Sequence, residues 1–530
     1  MIAEPLSNYL ETADNNPNTA KEAHDALLAR MVRNSVFNGI GTVLIVPFNF
    51  FALFTLARRL GAESLGTFFT LFAISAVIHW IADAGTTTVL TRRVAREPQN
   101  LATIVPEAAG VLLGVCTISA LLFFSVAIPW MALNGDGISL SVLVVAALAM
   151  ASRHALDSAA HVFRGLERFE FENLARVAQT GLFCVFVWIG VYADTGGTLA
   201  AFVAYAISNW IAAALLWAFL IRSERCGGFR FNPGMLRSWW RASLPLGVGD
   251  VIRQVLLQMD TLMLAAFRPS SVVGLFSVAA RPLQPLQLVP RIIVSVTFPS
   301  MSRSGHLDRS IVSRTFAQTT TLLWAASLPV SIVITICAEP LIRKTAGVDF
   351  LGAVGPLQAL IWSTGLIFIN AQLRLVLTAL DEERLYWRLI SWILAAKVIL
   401  GVALIPAWGI YGGCAANLLA EAALCGSGLV VLRRLGIAGP AWSQLLRLTV
   451  PAVVMAGVLM FMVSSRDSLV HLAIDGVVAG VVYVGTCLAC GVWPRDDLTR
   501  LYSAVQQTRQ RKRNEKLALA SAEVVEGAAS

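Results

Sequence analysis

The chain has 530 residues, of which 57% are hydrophobic and only 14% are charged, with a formal net charge of +9. Soluble domains carry about 25% charged residues, so this chain could not cover a large water-facing surface. The composition excludes a soluble enzyme and indicates an all-α polytopic membrane protein. The basic residues are spread over many short loops, which argues against nucleic-acid binding.

About fourteen apolar runs follow a polar N-terminal segment, and each approaches the roughly 20 residues that a spanning helix needs. Backbone polar groups in hydrocarbon must pair within their own segment, so these runs are predicted to be helices. The predicted units are a cytoplasmic tail (1–35), an N-lobe of six spans (36–222), a cytoplasmic linker (223–242), a C-lobe of six spans (243–435), two further spans (436–494) and a basic cytoplasmic tail (495–530).

The distribution of Arg and Lys predicts the orientation. If the N-terminus lies in the cytoplasm and the spans alternate, most basic residues fall in cytoplasmic segments and few in outer loops. This is the bias that sets topology in membranes. Both termini are therefore predicted to be cytoplasmic, and the basic C-terminal tail either contacts anionic lipid or only anchors the last span.

A short internal repeat indicates two related lobes. Gly66-Thr67-Phe68 opens the second span and Gly274-Leu275-Phe276 opens the eighth, at an offset of 208 residues. Two six-helix lobes in the same orientation fit this offset. Transporters built from such parallel repeats bind their substrate between the lobes and alternate access by rocking them.

Two predicted spans carry unusual polar stripes, and charges near the bilayer centre need a partner or a wet cavity. Proline interrupts the second of them, as in membrane helices that line an aqueous path. We predict that both spans line a cavity, although a purely structural polar seam is the alternative. The stripes are Asp250, Arg253, Gln254, Asp260 and Thr261 in the seventh span, and Arg281, Gln284, Gln287 and Arg291 in the eighth.

Depth along the helices predicts charge pairs. Asp260 and Arg281 lie at similar distances from the outer hairpin between the seventh and eighth spans, within roughly 5 Å in depth at 1.5 Å per residue. They are predicted to pair, which would leave Arg253 and Arg291 freer to bind an anion.

Two further pairs follow from position. Asp83 and Arg291 are separated by the same repeat offset and are candidates for a gate, whereas the alternative is that each caps its own helix end. Lys397 and Glu421 lie equally far from their shared hairpin and are predicted to form a structural ion pair, with a proton relay as the alternative.

Other polar groups in the spans remain open to two interpretations. Arg374, near Asn370 and Gln372, either reaches the membrane interface or faces the cavity. The fourth span carries a charged set that we interpret as an interfacial cluster rather than a metal site. This set consists of Arg153, His154, Asp157 and His161.

Sequence signatures of enzymes are absent. The chain has no G-x-x-x-x-G-K-[ST] loop and no H-E-x-x-H motif, so neither ATP hydrolysis nor a zinc protease is expected. No outer loop offers room for a catalytic domain. We therefore predict a transporter without cofactor or metal, with H⁺ or Na⁺ as a candidate coupling ion.

Several segments resemble the polysaccharide flippases of the multidrug/oligosaccharidyl-lipid/polysaccharide (MOP) exporter superfamily. The resemblance covers roughly residues 34–435 and rests on the order and spacing of short motifs. These are Asn38-Gly39, LARRLGAESLGTFFTLFAI, IADAGTTTVLTRRVAR, FRGLERFEFEN, VGLFSVAARPLQ and WGIYGGCAAN.

The resemblance implies a V-shaped pair of lobes that flips a polyprenyl-diphosphate-linked oligosaccharide across the bacterial inner membrane for O-antigen, capsule or exopolysaccharide synthesis. It implies a cationic cavity for the diphosphate, with Arg253, Arg281 and Arg291 as candidates because guanidinium binds phosphate through two oxygens. Asp250 and Asp260 depart from a purely cationic cavity and keep cation coupling open. Membrane lipids are implied partners, and polysaccharide polymerase and chain-length proteins are candidate partners.

Three rival functions remain open. A drug/cation antiporter of the same superfamily would have an acidic cavity, and a flippase for a lipid-linked peptidoglycan precursor would have a similar anion site. A membrane polysaccharide polymerase or ligase would need a larger outer loop than this chain has.

Overall fold

The computed structural model describes residues 17–134, 138–192, 197–224, 226–304, 308–440, 442–463 and 469–491. Throughout these ranges the regular structure is helical, without a β-strand. The predicted basic tail from 495 onward and the first 16 residues lie outside the described residues. We call the end of the bundle with the predicted cytoplasmic loops the inner end, and the opposite end the outer end.

The first half of the chain starts with a long helix that breaks at Gly61. This residue adopts φ 71°, a region open to glycine because it has no Cβ. The break separates the first two predicted spans. The helices of this half are α1 (Pro17–Asp83), α2 (Thr86–Arg96), α3 (Leu101–Asn134), α4 (Leu140–Gly165), α5 (Phe169–Tyr192) and α6 (Gly197–Glu224).

The second half contains two broken spans. Two short 3₁₀ turns separate α8 from α9, and α11 and α12 meet at a bend of 41°. The helices are α7 (Pro233–Phe267), α8 (Ser270–Ala280), α9 (Leu288–Ser304), α10 (Arg309–Thr345), α11 (Val354–Ile361), α12 (Ser363–Ala379), α13 (Glu383–Trp408) and α14 (Ile410–Arg434), followed by α15 (Trp442–Arg447), α16 (Thr449–Val463) and α17 (Leu469–Ala489).

The helices have the length and composition of membrane spans. Ten of those described could cross a membrane, or eleven if α11 and α12 count as one span. Large apolar side chains face outward, such as Phe461 at 85% exposure, which is expected where lipid replaces water. The all-α polytopic class is confirmed, whereas the number fourteen stays a prediction.

The predicted linker is partly helical. The Asn232 side chain accepts a hydrogen bond from the Gly234 amide at 2.8 Å, and α7 starts at Pro233. Residues 233–242 therefore belong to a helix, which corrects the boundary at 242. Within this stretch Trp239 is buried, and Trp240 Nε1 donates to the Ala82 carbonyl of α1 at 3.1 Å.

The two halves touch at the outer end through the glycines of the internal repeat. A Cβ at Gly66 would lie 1.7 Å from the Ser270 carbonyl oxygen, and a Cβ at Gly274 would lie 2.0 Å from the Ala62 oxygen. Only hydrogen in place of a side chain allows α1 and α8 to approach this closely. We call this contact the outer seam.

Arginines hold the outer ends of the helices. Arg58 of the first half donates to the Thr345 carbonyl of α10 in the second half, with Nε 2.8 Å from the oxygen. Arg268 donates to the Ile405 carbonyl at the end of α13, at 3.0 Å, within the same half. In each case a cation meets carbonyls of the last turn of a helix, where the helix dipole favours it.

The halves also meet at the inner end. A Cβ at Gly247 of α7 would lie 2.2 Å from the Ala84 carbonyl, just beyond the end of α1. Together with the Trp240 bond, this contact joins the inner end of α1 to the start of α7.

Candidate functional site

A cavity of about 540 Å³ lies in the second half. Its walls come from α7, the broken segment α8–α9, and α11 to α14, and its wall residues run from Arg253 to Leu424. Glu383, at the first turn of α13, places one end of the cavity toward the inner end. All of its wall residues belong to the second half, and the crevice between the lobes stays a prediction.

Most of the predicted site residues line this cavity. Gln254, Asp250 and Asp83 do not belong to its wall. The predicted residues in the wall are Arg253, Asp260, Arg281, Gln284, Gln287, Arg291, Lys397 and Glu421.

Three guanidinium groups form the most cationic part of the wall. Arg253 on α7, Arg291 on α9 and Arg374 on α12 lie close enough for the charges of the other two to act on Arg291. Arg253 Nε is buried without a hydrogen-bond partner, and Asp250 lies 3.7 Å from its Nη2. A buried donor without a partner costs free energy, so this side chain is ready to bind an acceptor.

Arg281 does not pair with Asp260 as predicted. Its guanidinium lies over the ring of Phe69, 4.3 Å from the centroid, and 5.7 Å from that of Phe72. Gln284 Oε1 accepts from it at 3.4 Å. Both rings belong to α1, so this cation–π contact connects the cavity wall to the first half.

The buried carboxylates have other partners than the sequence predicted. Lys397 Nζ donates to Asp260 Oδ2 at 2.8 Å and to Asn417 Oδ1 at 3.1 Å. Glu421 instead accepts from Asn370 Nδ2 at 2.7 Å. The predicted Lys397–Glu421 ion pair is therefore wrong, because α13 presents its lysine to α7.

Asp83 caps the end of its own helix, which was the alternative to a role in a gate. Its carboxylate accepts from the Thr86 hydroxyl at 2.6 Å, the Thr87 hydroxyl at 2.9 Å and the Gly85 amide at 3.2 Å. These bonds close the turn between α1 and α2. The gate formed with Arg291 stays a prediction.

The charged set of the fourth span is partly buried: His154 and Asp157 are buried, whereas Arg153 and His161 are half-buried, and the interfacial position stays a prediction. Asp157 is 9% exposed and lies 3.2 Å from Arg176, 3.3 Å from His79 and 3.5 Å from Arg153. It forms the centre of an ion network within the first half. A buried charge of this kind requires such partners.

Sequence reasoning left Arg374 undecided and did not select Asn370 or Asn417 for the cavity. A signal was present, because Ile367, Asn370, Ala371, Arg374 and Thr378 recur at spacings of three and four and all line the wall. Such spacing places residues on one helical face.

Comparison with known structures defines the class of fold. A lipid II flippase, MurJ, in an inward closed conformation, is similar at a TM-score of 0.68 and 14% identity, over 86% of this chain and 97% of that one. An inward-facing multidrug resistance MATE family transporter of the MOP superfamily is similar at 0.60 and 16% identity, over 74% and 95%. The chain has the fold of this flippase and this transporter.

The family is set by sequence. Residues 31–304, just over half of the chain, match the model of the family described as "Polysaccharide biosynthesis protein". The chain belongs to this family. No curated protein sequence matches it significantly.

Proposed function

We propose that the chain is a flippase that moves a polyprenyl-diphosphate-linked oligosaccharide across the bacterial inner membrane by alternating access. The product would serve the synthesis of O-antigen, capsule or exopolysaccharide. On this proposal both termini are cytoplasmic, and polysaccharide polymerase and chain-length proteins act on the product at the outer face.

The observation that carries the proposal is the group of three arginines in the cavity wall. Arg253, Arg291 and Arg374 line the same cavity, the charges of Arg253 and Arg374 oppose that of Arg291, and Asp250 lies 3.7 Å from Arg253. A diphosphate supplies the missing negative charge and accepts the bidentate bonds that guanidinium favours. The wall also carries amides from Gln258, Gln284 and Gln287, which suit sugar hydroxyls.

The charge balance favours an anion over a cationic drug. Five basic and three acidic side chains belong to the cavity wall. Of the acidic ones, Asp260 is neutralised by Lys397, and Glu421 is held by Asn370. A cation antiporter would need a free carboxylate deep in its cavity, whereas the third acidic residue of the wall, Glu383, is exposed at the inner end, so the antiporter is the weaker candidate.

A reconstituted flipping assay tests the proposal. The full chain is placed in liposomes with a fluorescent polyprenyl-diphosphate disaccharide, and dithionite reports how fast the probe crosses the bilayer. Arg291→Gln and Arg374→Gln should each slow flipping at least tenfold, because a charge-assisted bond contributes about 1.5–3 kcal/mol. Arg388→Gln is the matched control, since Arg388 is exposed on α13 and does not line the cavity.

The chemistry of the probe separates the rival functions. A polyprenyl-monophosphate sugar should flip more slowly than the diphosphate, and an ethidium-type cation should not be transported. Flipping by both Arg291→Gln and Arg374→Gln at the rate of the control Arg388→Gln would refute the diphosphate site. If the chain flips a lipid-linked peptidoglycan precursor faster than other glycans, the flippase mechanism would stand and the substrate would be that precursor.

A further inference from the structure

A buried pair of histidines lies in the first half, outside the cavity. The imidazole rings of His79 on α1 and His154 on α4 stack with centroids 3.9 Å apart and planes 23° apart. They are 5% and 3% exposed. Histidine is the side chain whose charge changes most readily near neutral pH, so a stacked buried pair needs a physical account.

The hydrogen bonds define where a proton could be added. His79 Nε2 lies 3.3 Å from an oxygen of Asp157, which fits an N–H that donates to the carboxylate. His79 Nδ1 is then the basic nitrogen, and it is buried without a hydrogen-bond partner. A proton added to Nδ1 would give an imidazolium paired with Asp157.

The neighbouring ring stays neutral on the same reasoning. The Ser119 hydroxyl has one proton, which it donates to the Val115 carbonyl at 2.6 Å. It therefore accepts from His154 Nε2, 2.8 Å away. Because the rings touch, a charge on one opposes a charge on the other, and the pair accepts at most one additional proton.

The charged surroundings complete the site. Asp157 is shared among His79, Arg153 and Arg176, so a protonated His79 would compete with the arginines for it. The titratable and charged groups around the pair are Asp83 on α1, Cys116 on α3, Arg153, Asp157, His161 and Arg164 on α4, Glu172 and Arg176 on α5, and Tyr205 on α6.

A small cavity connects the pair toward the inner end. It holds about 20 Å³ and is lined by His154, Thr86, Thr87 and Asp83. This volume suffices for one water molecule, and the hydroxyls and the carboxylate could bond to it. The cavity thus extends the polar surroundings of the pair from His154 toward Asp83 at the inner end of α1.

A chain of contacts connects the pair to the transport cavity. Arg153, beside Asp157, donates to the Tyr205 hydroxyl at 3.0 Å. Tyr205 packs edge-on against Phe72 with centroids 5.6 Å apart, and Arg281 of the cavity wall lies over Phe72 and Phe69. Whatever shifts Arg153 is thus transmitted to a contact between the two halves.

We propose that His79, supported by His154 and Asp157, is a proton-binding site that couples the proton gradient to the conformational cycle. The proposal rests on the proposed flippase function. In the present conformation a proton on Nδ1 finds no acceptor, so the neutral form fits this conformation and the protonated form favours another. A ligand with this difference in affinity shifts the equilibrium between the two conformations.

The first test measures the proton directly and needs no substrate. The chain has six histidines, so selective ¹³C,¹⁵N-histidine labelling of the full protein in nanodiscs gives few signals. His79→Gln identifies the signal of interest, and His471→Gln, at an exposed position on α17, is the control. We expect the His79 ring to carry the additional proton in the acidified sample and to be neutral in the alkaline one. A ring that stays neutral throughout the pH series overturns the proposal.

The second test measures coupling in proteoliposomes that contain the fluorescent polyprenyl-diphosphate disaccharide. One proton exchanged per substrate lets a gradient of one pH unit shift the distribution of the probe up to about tenfold. His79→Gln should abolish this response, whereas His471→Gln should retain it. Flipping that ignores the gradient in the wild type refutes the proton site and leaves the flippase intact. No flipping of any diphosphate probe refutes the flippase, while the histidine titration still decides the proton site.

Discussion

Replacing Gly66 with alanine should shift the chain toward an outward-open conformation. The new Cβ would lie 1.7 Å from the Ser270 carbonyl oxygen, whereas ordinary contacts start at 3.4 Å. The obstacle is backbone, so no side-chain rotation relieves it, and α1 and α8 must separate by about 1.7 Å. Overpacking of this kind costs about 1–3 kcal/mol.

The cost falls only on conformations in which the outer seam is closed. A penalty of 1–3 kcal/mol changes the ratio of open to closed molecules by roughly 5- to 150-fold. Gly274→Ala should act in the same direction, because its Cβ would lie 2.0 Å from the Ala62 oxygen.

Spin labels at Ser141 and Val348, which are exposed at the outer ends of the two halves, report the change as a longer distance in pulsed electron resonance. The eight native cysteines are replaced beforehand. Gly426→Ala is the control, since nothing lies within 4 Å of its new Cβ. Distance distributions unchanged from the parent in both seam variants would refute the reasoning.

Three further predictions concern single contacts. Asp260→Asn should destabilise the fold by about 3–5 kcal/mol, because it leaves the buried Lys397 ammonium without its carboxylate, and the added change Lys397→Met should recover most of this loss. Phe69→Leu removes the ring under Arg281, worth about 0.5–2 kcal/mol, and should raise the outward-open fraction. Trp240→Phe removes the hydrogen bond to the inner end of α1, worth about 0.5–1.5 kcal/mol, and should loosen the inner contact.

Each of these three predictions is tested by a separate measurement. Thermal unfolding of the detergent-solubilised chain reports the loss at Asp260, and a double variant no more stable than the single one would contradict the ion pair. For Phe69 the spin-label distance at the outer end is measured, with Phe461→Leu on the exposed surface as control. For Trp240 the alkylation rate of a cysteine at Thr87 is measured, and an unaltered rate would show that the bond does not restrain the inner end.

Local sequence was enough to predict the helices. In hydrocarbon, backbone amide and carbonyl groups find partners only within their own segment. A long apolar run therefore has to form a helix. The repeat offset singled out Gly66 and Gly274, but the contact that they make at the outer seam was not predicted from it. Prolines among polar residues correctly indicated a broken segment between α8 and α9.

The partners of buried charges could not be predicted in this way. Depth along a helix placed Asp260 level with Arg281, but depth does not fix the direction in which a side chain points. In the structure Asp260 meets Lys397 of α13, and Arg281 meets Phe69 of the other half. Rotation of each helix about its axis is set by the packing of the whole bundle.

Arg58 and Arg268 both donate hydrogen bonds to carbonyls at helix ends, but only the Arg58 bond has to break when the two halves move apart. Arg268 connects two helices of the same half, so its bond moves with that half and stays intact during the cycle. Arg58 spans both halves, so every excursion of the outer end must break its bonds to α10 and every return must remake them. The Arg268 bond is therefore permanent, whereas the Arg58 bond is reversible. The free energy of breaking the Arg58 bond is a cost that the driving force of transport has to exceed on each turnover.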